Sequence, residues 1–203
     1  MNKVLGVLCS GRGSNLASII DNIANGNITA SIGVVIADKV GAKALERAEA
    51  AGIKAVLVER KAFSTKEDFE EALLAELRAA KVDLVILAGF MRILSPLFVR
   101  AYPNRILNIH PSLLPAFSGA HAHRDALAYG VKVSGCTVHF VDEAMDHGPI
   151  ILQRAVPVLE GDTEDTLAAR VLVEEHQIYP EAIRLYLEGK LKIIDNRIVE
   201  ISE

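Results

Sequence analysis

The chain has 203 residues, a formal net charge of −4, 51% hydrophobic residues and 24% charged residues. That length buries a full core without staples, and the composition excludes wholesale disorder. The mild acidity argues against a phosphate-tracking nucleic-acid surface, which needs clustered Lys and Arg.

Val4–Cys9 is an apolar run that reads as a buried strand. It stops at Ser10-Gly11-Arg12, too short for a membrane span and without a signal-peptide cleavage pattern. Leu16–Ala24 carries apolar residues at helical spacing, with Ser14 or Asn15 as its N-cap. Ile32–Ala37 is again strand-like, Ala42–Ala51 is helical and closes at Gly52, and Ala55–Val58 is a short strand. Thr65–Ala80 reads as a helix with Glu67 and Asp68 in its first turn. Asp83–Ala88 has the continuous apolar pattern of a strand buried on both faces. This βαβαβ rhythm predicts an α/β fold, with a mostly parallel Rossmann-like sheet and helices on both faces.

The second half changes character. Arg105–His110 reads as a strand ended by Pro111, which pushes His110 towards extended geometry. Phe117–His123, rich in small residues, reads as a loop. Val133–Val141 and Pro149–Val156 are strands close in sequence, which predicts an antiparallel C-terminal part. A helix runs from Thr163 to Leu187 with Asp162 as N-cap, and Leu191–Ile201 reads as a hairpin around Asp195-Asn196-Arg197. No linker or repeat interrupts the chain, so residues 1–203 are expected to be one domain. The two cysteines, Cys9 and Cys136, sit in separate apolar runs without paired spacing. That usage points to a reducing cytoplasm rather than a disulfide scaffold.

Three stretches carry chemistry. Ser10-Gly11-Arg12-Gly13-Ser14-Asn15 joins a strand to a helix. Its glycines allow close backbone approach, and amides at a helix start attract anions, so it reads as a monophosphate loop. It lacks the third glycine of a dinucleotide fingerprint and the lysine of a P-loop. In Asn108-Ile109-His110, residues two apart share one strand face, so an amide donor stands beside an imidazole. Such a pair suits oxyanion stabilisation and proton handling. In Asp142-Glu143-Ala144-Met145-Asp146-His147-Gly148-Pro149, Asp142 and Glu143 read as solvated, and Asp146 as a carboxylate fixed against a tight reversal. Asp146 is placed to orient or charge His110. Among the six histidines, His121-Ala122-His123 has alternating spacing, but no carboxylate stands at ligand spacing beside that pair and neither cysteine lies near it, so no metal is expected. Phe90-Met91-Arg92-Ile93-Leu94, after a buried strand, reads as an apolar slot with backbone donors for a flat heteroaromatic ligand.

The motifs SGRGSNL, AGFMRIL, NIHPSLLPAF, GCTVHFVDEAMDHGPII and EEHQIYP occur in order along essentially the whole chain. Together they resemble the folate-dependent formyltransferases, and among them the phosphoribosylglycinamide formyltransferases. The resemblance implies the formyltransferase fold, with about residues 1–100 binding the nucleotide phosphate and about 101–203 serving catalysis and folate. It implies formyl transfer from 10-formyltetrahydrofolate, as cosubstrate, to the amine of glycinamide ribonucleotide, in purine biosynthesis. It assigns catalysis to Asn108, His110 and Asp146. Asn108 and a protonated His110 would hold the tetrahedral oxyanion, and Asp146, through water, would support the imidazole. Phosphate and ribose binding falls to Gly11, Arg12, Gly13, Ser14, Asn15 and Glu175. Folate binding falls to Lys66, Met91, Arg92, Ile93, Leu94, Asn108 and Val141. Gly119 would lie in a mobile loop.

The resemblance implies no metal, nucleic-acid or membrane partner, and a monomer or homodimer in the cytoplasm. Formyltetrahydrofolate hydrolases share the trio but usually carry an N-terminal regulatory domain, and methionyl-tRNA formyltransferases a C-terminal RNA-binding domain. A first strand starting at Lys3 and an end at Glu203 favour the glycinamide group. Ser118 stands where many relatives carry proline, and Lys66 where some carry arginine, which loses a bidentate fork.

Overall fold

In the first half of the chain the alternating rhythm becomes β1 (Lys3–Cys9), α1 (Ser14–Ala24), β2 (Ala30–Ala37), α2 (Lys43–Ala50), β3 (Ala55–Leu57), α3 (Lys66–Ala79) and β4 (Leu84–Leu87). The computed structural model describes residues 2–202. It divides into two compact units between Leu107 and Asn108.

In the first unit the strands pair in parallel in the order β3-β2-β1-β4. Their sequences are apolar throughout because neither face meets water. Leu5, Val7, Leu8, Val34, Val35, Ile36, Leu84, Val85 and Ile86 are all fully buried. Gly6 lets α3 approach β1 closely, since a Cβ there would lie 2.5 Å from Leu77 Cδ2. From β1 the chain steps outward to β2 and β3, then returns past β1 to β4. Right-handed crossovers therefore set α1 and α2 on one face and α3 on the other. The direction of travel reverses between β1 and β4, and their carboxyl ends lie side by side there. In open parallel sheets that crevice is where ligands bind. The short helix α4 (Pro96–Ala101) follows, capped by Ser95, whose Oγ accepts from Phe98 N–H at 3.3 Å. β5 (Ile106–His110) begins beside β4, with Val85 N–H donating to the Arg105 carbonyl at 2.9 Å.

The second unit takes over within β5 and is largely antiparallel. It contains α5 (Ala122–Tyr129), β6 (Val133–Phe140), β7 (Ile150–Pro157), α6 (Glu164–Leu187), β8 (Leu191–Ile194) and β9 (Ile198–Ile201). Strand order is β5-β6-β7-β9-β8. β6 and β7 are antiparallel from Val133 opposite Pro157, and the register shifts between Val138 and His139. α6 covers β6 and β7 with fully buried Val171, Ile178, Tyr179, Ala182 and Ile183. The fold is thus α/β with a mostly parallel sheet and an antiparallel C-terminal part.

Three local expectations need correction. Gly13, not Ser14 or Asn15, caps α1, at φ 68 in the left-handed region. A Cβ at Gly13 would lie 2.8 Å from Ala44 Cβ, so both conformation and space demand glycine. Thr163, not Asp162, caps α6, in a reciprocal box with Thr166. Asp162 instead holds Arg170 in a bidentate pair at 2.8 and 2.9 Å. The loop expected through His123 gives way to α5 at Ala122.

Candidate active site

The two turns at the β1/β4 crevice are tied by one side chain. Ser10 N–H donates to the Gly89 carbonyl at 3.1 Å, and Ser10 Oγ accepts from Met91 N–H at 2.9 Å. Beyond Ser10 the chain is exposed at Gly11 and Arg12 and turns into α1 through Gly13. The Gly11 carbonyl accepts from Ala44 N–H at 3.2 Å, and the Arg12 carbonyl from Arg47 Nε at 3.0 Å. A Cβ on Gly11 would meet nothing within 4 Å, so its backbone is open to a ligand. No side chain caps α1 and no acidic residue stands in its first turn. The positive end of the helix is left for an anion.

Past Gly89 the segment Met91–Ser95 is pinned by buried carboxylates. Arg92 Nε donates to Asp38 Oδ2, and its guanidinium lies 5.7 Å over the Phe69 ring. Asp38, just beyond β2, is 2% exposed. Ser95 N–H donates to Glu70 Oε1 at 2.8 Å, and its hydroxyl to Glu70 Oε2. Lys66 Nζ lies 3.8 Å from the same buried Glu70. Leu94 is buried, whereas Met91 and Ile93 stand 69% and 58% exposed. Of the expected slot, the Arg92 and Leu94 side chains are thus committed inward. Met91 and Ile93 face outward.

In the second unit β5 carries Asn108 and His110 two residues apart, and the sequence-predicted trio comes together around them. His110 Nδ1 lies 3.6 Å from Asp146 Oδ2, and His110 Nε2 donates to the Phe117 carbonyl at 2.9 Å. A fourth residue, His139, joins them. Asn108 Nδ2 donates to His139 Nε2 at 3.1 Å, and His139 Nδ1 donates to the Phe140 carbonyl at 2.8 Å. A carbonyl can only accept, so the His139 proton sits on Nδ1 and Nε2 is the acceptor. Burial pushes the His139 pKa below its ordinary value, outweighing the backbone hydrogen bond to Phe140 and the charge of Asp146. The neutral ring fixes which way the Asn108 amide points. Asp146 Oδ1 is 4.0 Å from His139 Nε2, and Asp146 Oδ2 accepts from Gly119 N–H at 2.8 Å.

The surrounding backbone is locked. Thr137 Oγ1 donates to the Ser112 carbonyl at 2.7 Å and accepts from Leu114 N–H at 3.1 Å. Gln153 Nε2 donates to the Leu114 carbonyl at 3.0 Å. Ser112 Oγ closes the turn on the Ala116 carbonyl at 2.6 Å, which presents Phe117 to His110. Behind Asp146, a Cβ at Gly148 would lie 1.9 Å from the Phe140 carbonyl oxygen, so only glycine permits the reversal.

The cluster offers an oriented amide donor, an imidazole and a carboxylate within mutual reach. That set can hold a developing oxyanion and move a proton. No thiol competes, because burial pushes Cys136 up to about 12 and the residue is fully buried. Among the described residues no group of three or more His, Cys, Asp or Glu could hold a metal ion.

Glu175 is buried on α6, and its charge helps raise the Cys136 thiol. Val141 is half-buried just past β6. Asp142 is not merely solvated. It accepts from Ala144 N–H at 3.0 Å and pairs with His147 Nδ1 at 2.8 Å. Sequence reasoning missed the roles of Ser10, Asp38 and His139. Thr137 and His139, two apart on an otherwise apolar strand, were the available signal for a polar face. No local signal pairs Asp38 with an arginine 54 residues away.

The formyl transferase family model matches residues 3–183. Phosphoribosylglycinamide formyltransferase of Escherichia coli is 47% identical over 190 residues, 94% of this chain and 90% of that protein. The human trifunctional purine biosynthetic protein adenosine-3 is also 47% identical over 94% of this chain, which spans only 19% of it. The crystal structure of glycinamide ribonucleotide transformylase 1 from Symbiobacterium toebii superposes with a TM-score of 0.97. It is 53% identical, covering 100% of this chain and 95% of that one.

Proposed function

This chain belongs to the formyl transferase family, and from that premise we propose that it moves the formyl group of 10-formyltetrahydrofolate to the amine of glycinamide ribonucleotide. The observation that carries the reading is the cluster in which His139 orients Asn108 and Asp146 faces the His110 ring. The amine nitrogen bonds to the formyl carbon, and the carbonyl oxygen becomes an oxyanion. Asn108 has one Nδ2–H on His139 and gives its second to that oxygen. His110 stabilises the same charge and passes a proton to the folate nitrogen as the old carbon–nitrogen bond breaks. Asp146 supports the charged ring and takes up the proton that the amine sheds. Removing a donor of this kind raises the barrier by about 2.7–4 kcal/mol.

The amides of Gly11, Gly13, Ser14 and Asn15 hold the ribonucleotide phosphate at the positive end of α1, and Arg12 adds charge. Glu175 hydrogen-bonds the ribose hydroxyls. Met91, Arg92, Ile93, Leu94 and Val141 take the pterin, largely through backbone, and Lys66 attracts the acidic folate tail. The enzyme works as one domain in the cytoplasm, as a monomer or homodimer. Among the described residues no helix is long and apolar enough to cross a membrane.

The deciding assay mixes the protein with formyl-folate, with and without glycinamide ribonucleotide. Deformylation that requires the ribonucleotide and yields its N-formyl product is the expected result. Ribonucleotide-independent release of formate would make the enzyme a hydrolase instead.

A further inference from the structure

Asp38 stands at the carboxyl end of the second parallel strand, the place where dinucleotide-binding folds keep an acid for a ribose hydroxyl. Here the carboxylate is turned inward. Its side chain is fully buried, Oδ2 is taken by Arg92 Nε, and Oδ1 is a buried oxygen without a hydrogen-bond partner. A buried carboxylate is costly unless it is paired, so this one is retained against a desolvation cost, and among the described residues its ion pair is with Arg92. Arg92 is also the middle of the segment whose neighbours Met91 and Ile93 face outward. Its guanidinium is clamped between Asp38 and the Phe69 ring. With Ser10 holding Met91 N–H and Glu70 holding Ser95, the Asp38 clamp fixes the one stretch between those two pins.

We propose that Asp38 is a positioning residue for the folate substrate, acting through Arg92 to hold the Met91–Leu94 backbone in its binding shape before the pterin arrives. The proposal rests on the reading of Met91–Leu94 as the pterin segment. Without the clamp, ordering four residues falls to the ligand, and the apparent affinity drops by the fraction of molecules in the competent shape. The chemistry on β5 is untouched.

Asp38→Asn is expected to raise the KM for formyl-folate about tenfold. The ribonucleotide KM and kcat should stay within about twofold. Arg92→Gln should do the same, and the double variant should be no worse than either alone, because both remove one interaction. A thermal melt of each variant checks that it is folded. If Asp38→Asn is unstable, Arg92→Gln, whose side chain is partly exposed, carries the test. Ile93→Asp probes the slot directly and should raise the folate KM whatever Asp38 does. A normal folate KM in Ile93→Asp removes the slot and the proposal with it. A raised value there beside normal values in Asp38→Asn and Arg92→Gln overturns the positioning role alone. Equal rises in both KM values, or a loss confined to kcat, also overturn it.

Discussion

The two units differ in the kind of atom they present. The parallel unit offers backbone: Gly11 and Gly13 open the chain, α1 contributes its uncapped end, and Met91 and Ile93 stand exposed on a pinned turn. The antiparallel unit offers side chains: Asn108, His110, His139 and Asp146 meet at distances of 2.8–4.0 Å from one another or from the backbone that holds them. The difference follows from topology. Parallel strands end together and release turns and helix starts in one crevice, which suits recognition of phosphate and flat rings. Antiparallel pairing brings residues from distant loops beside a strand, and a register shift at His139 re-aims one of them. Binding and catalysis should therefore be separable by mutation.

The sharpest break is in the side-chain unit. His110→Ala or Asp146→Asn should lower turnover by about 10²–10³-fold while ribonucleotide binding, measured by calorimetry, is retained. Parallel loss of binding would show that the two functions are not divided as described. The mirror test is Gly13→Val. Its side chain would meet Ala44 and force a branched residue into φ 68. The ribonucleotide KM should rise roughly tenfold or more, the folate KM far less, and the melting temperature should fall.

A smaller effect concerns protons. Burial depresses the pKa of His139, and of His123 as well. Depressed histidines bind fewer protons folded than unfolded. Their stabilising contribution is present above the unfolded value of about 6.5 and is lost as pH falls through the depressed folded values. Thermal melts should therefore drop below about pH 6.5, less steeply in His139→Gln. An unchanged slope in that variant would remove His139 as a source of acid sensitivity. The smallest effect is a silence. Cys9 and Cys136 are buried with thiols pushed up to about 12, so a thiol reagent at pH 8 should label neither before unfolding.

Sequence reading reached different depths in the two regions. The parallel strands were legible because burial on both faces makes each a run such as Leu84-Val85-Ile86-Leu87. Asn108 and His110 were legible because strand period alone puts them on one face. The cap of α1 was misplaced because Ser14 and Asn15 are better capping residues than glycine, yet Ala44 leaves room only for Gly13. α5 was missed because a small-residue turn precedes it and no capping side chain marks its start. The sequence reading carried the grouping of Asn108, His110 and Asp146 but not its supports. His139 meets Asn108 across 31 residues, and Asp38 meets Arg92 across 54. Such pairs exist only once the sheet is formed.

One bend constrains what can ever occupy it. Asp146 sits at φ 51, where most L-residues are strained but Asp, Asn and Gly are tolerated. A drifting lineage that loses the charge there has two comfortable exits, asparagine or glycine, and on the proposed role of Asp146 either would keep the backbone bend while removing the acid the reaction uses. A related chain with asparagine at this bend would then be a preserved receptor for the same two small molecules, recognisable by its intact turn and its missing acid.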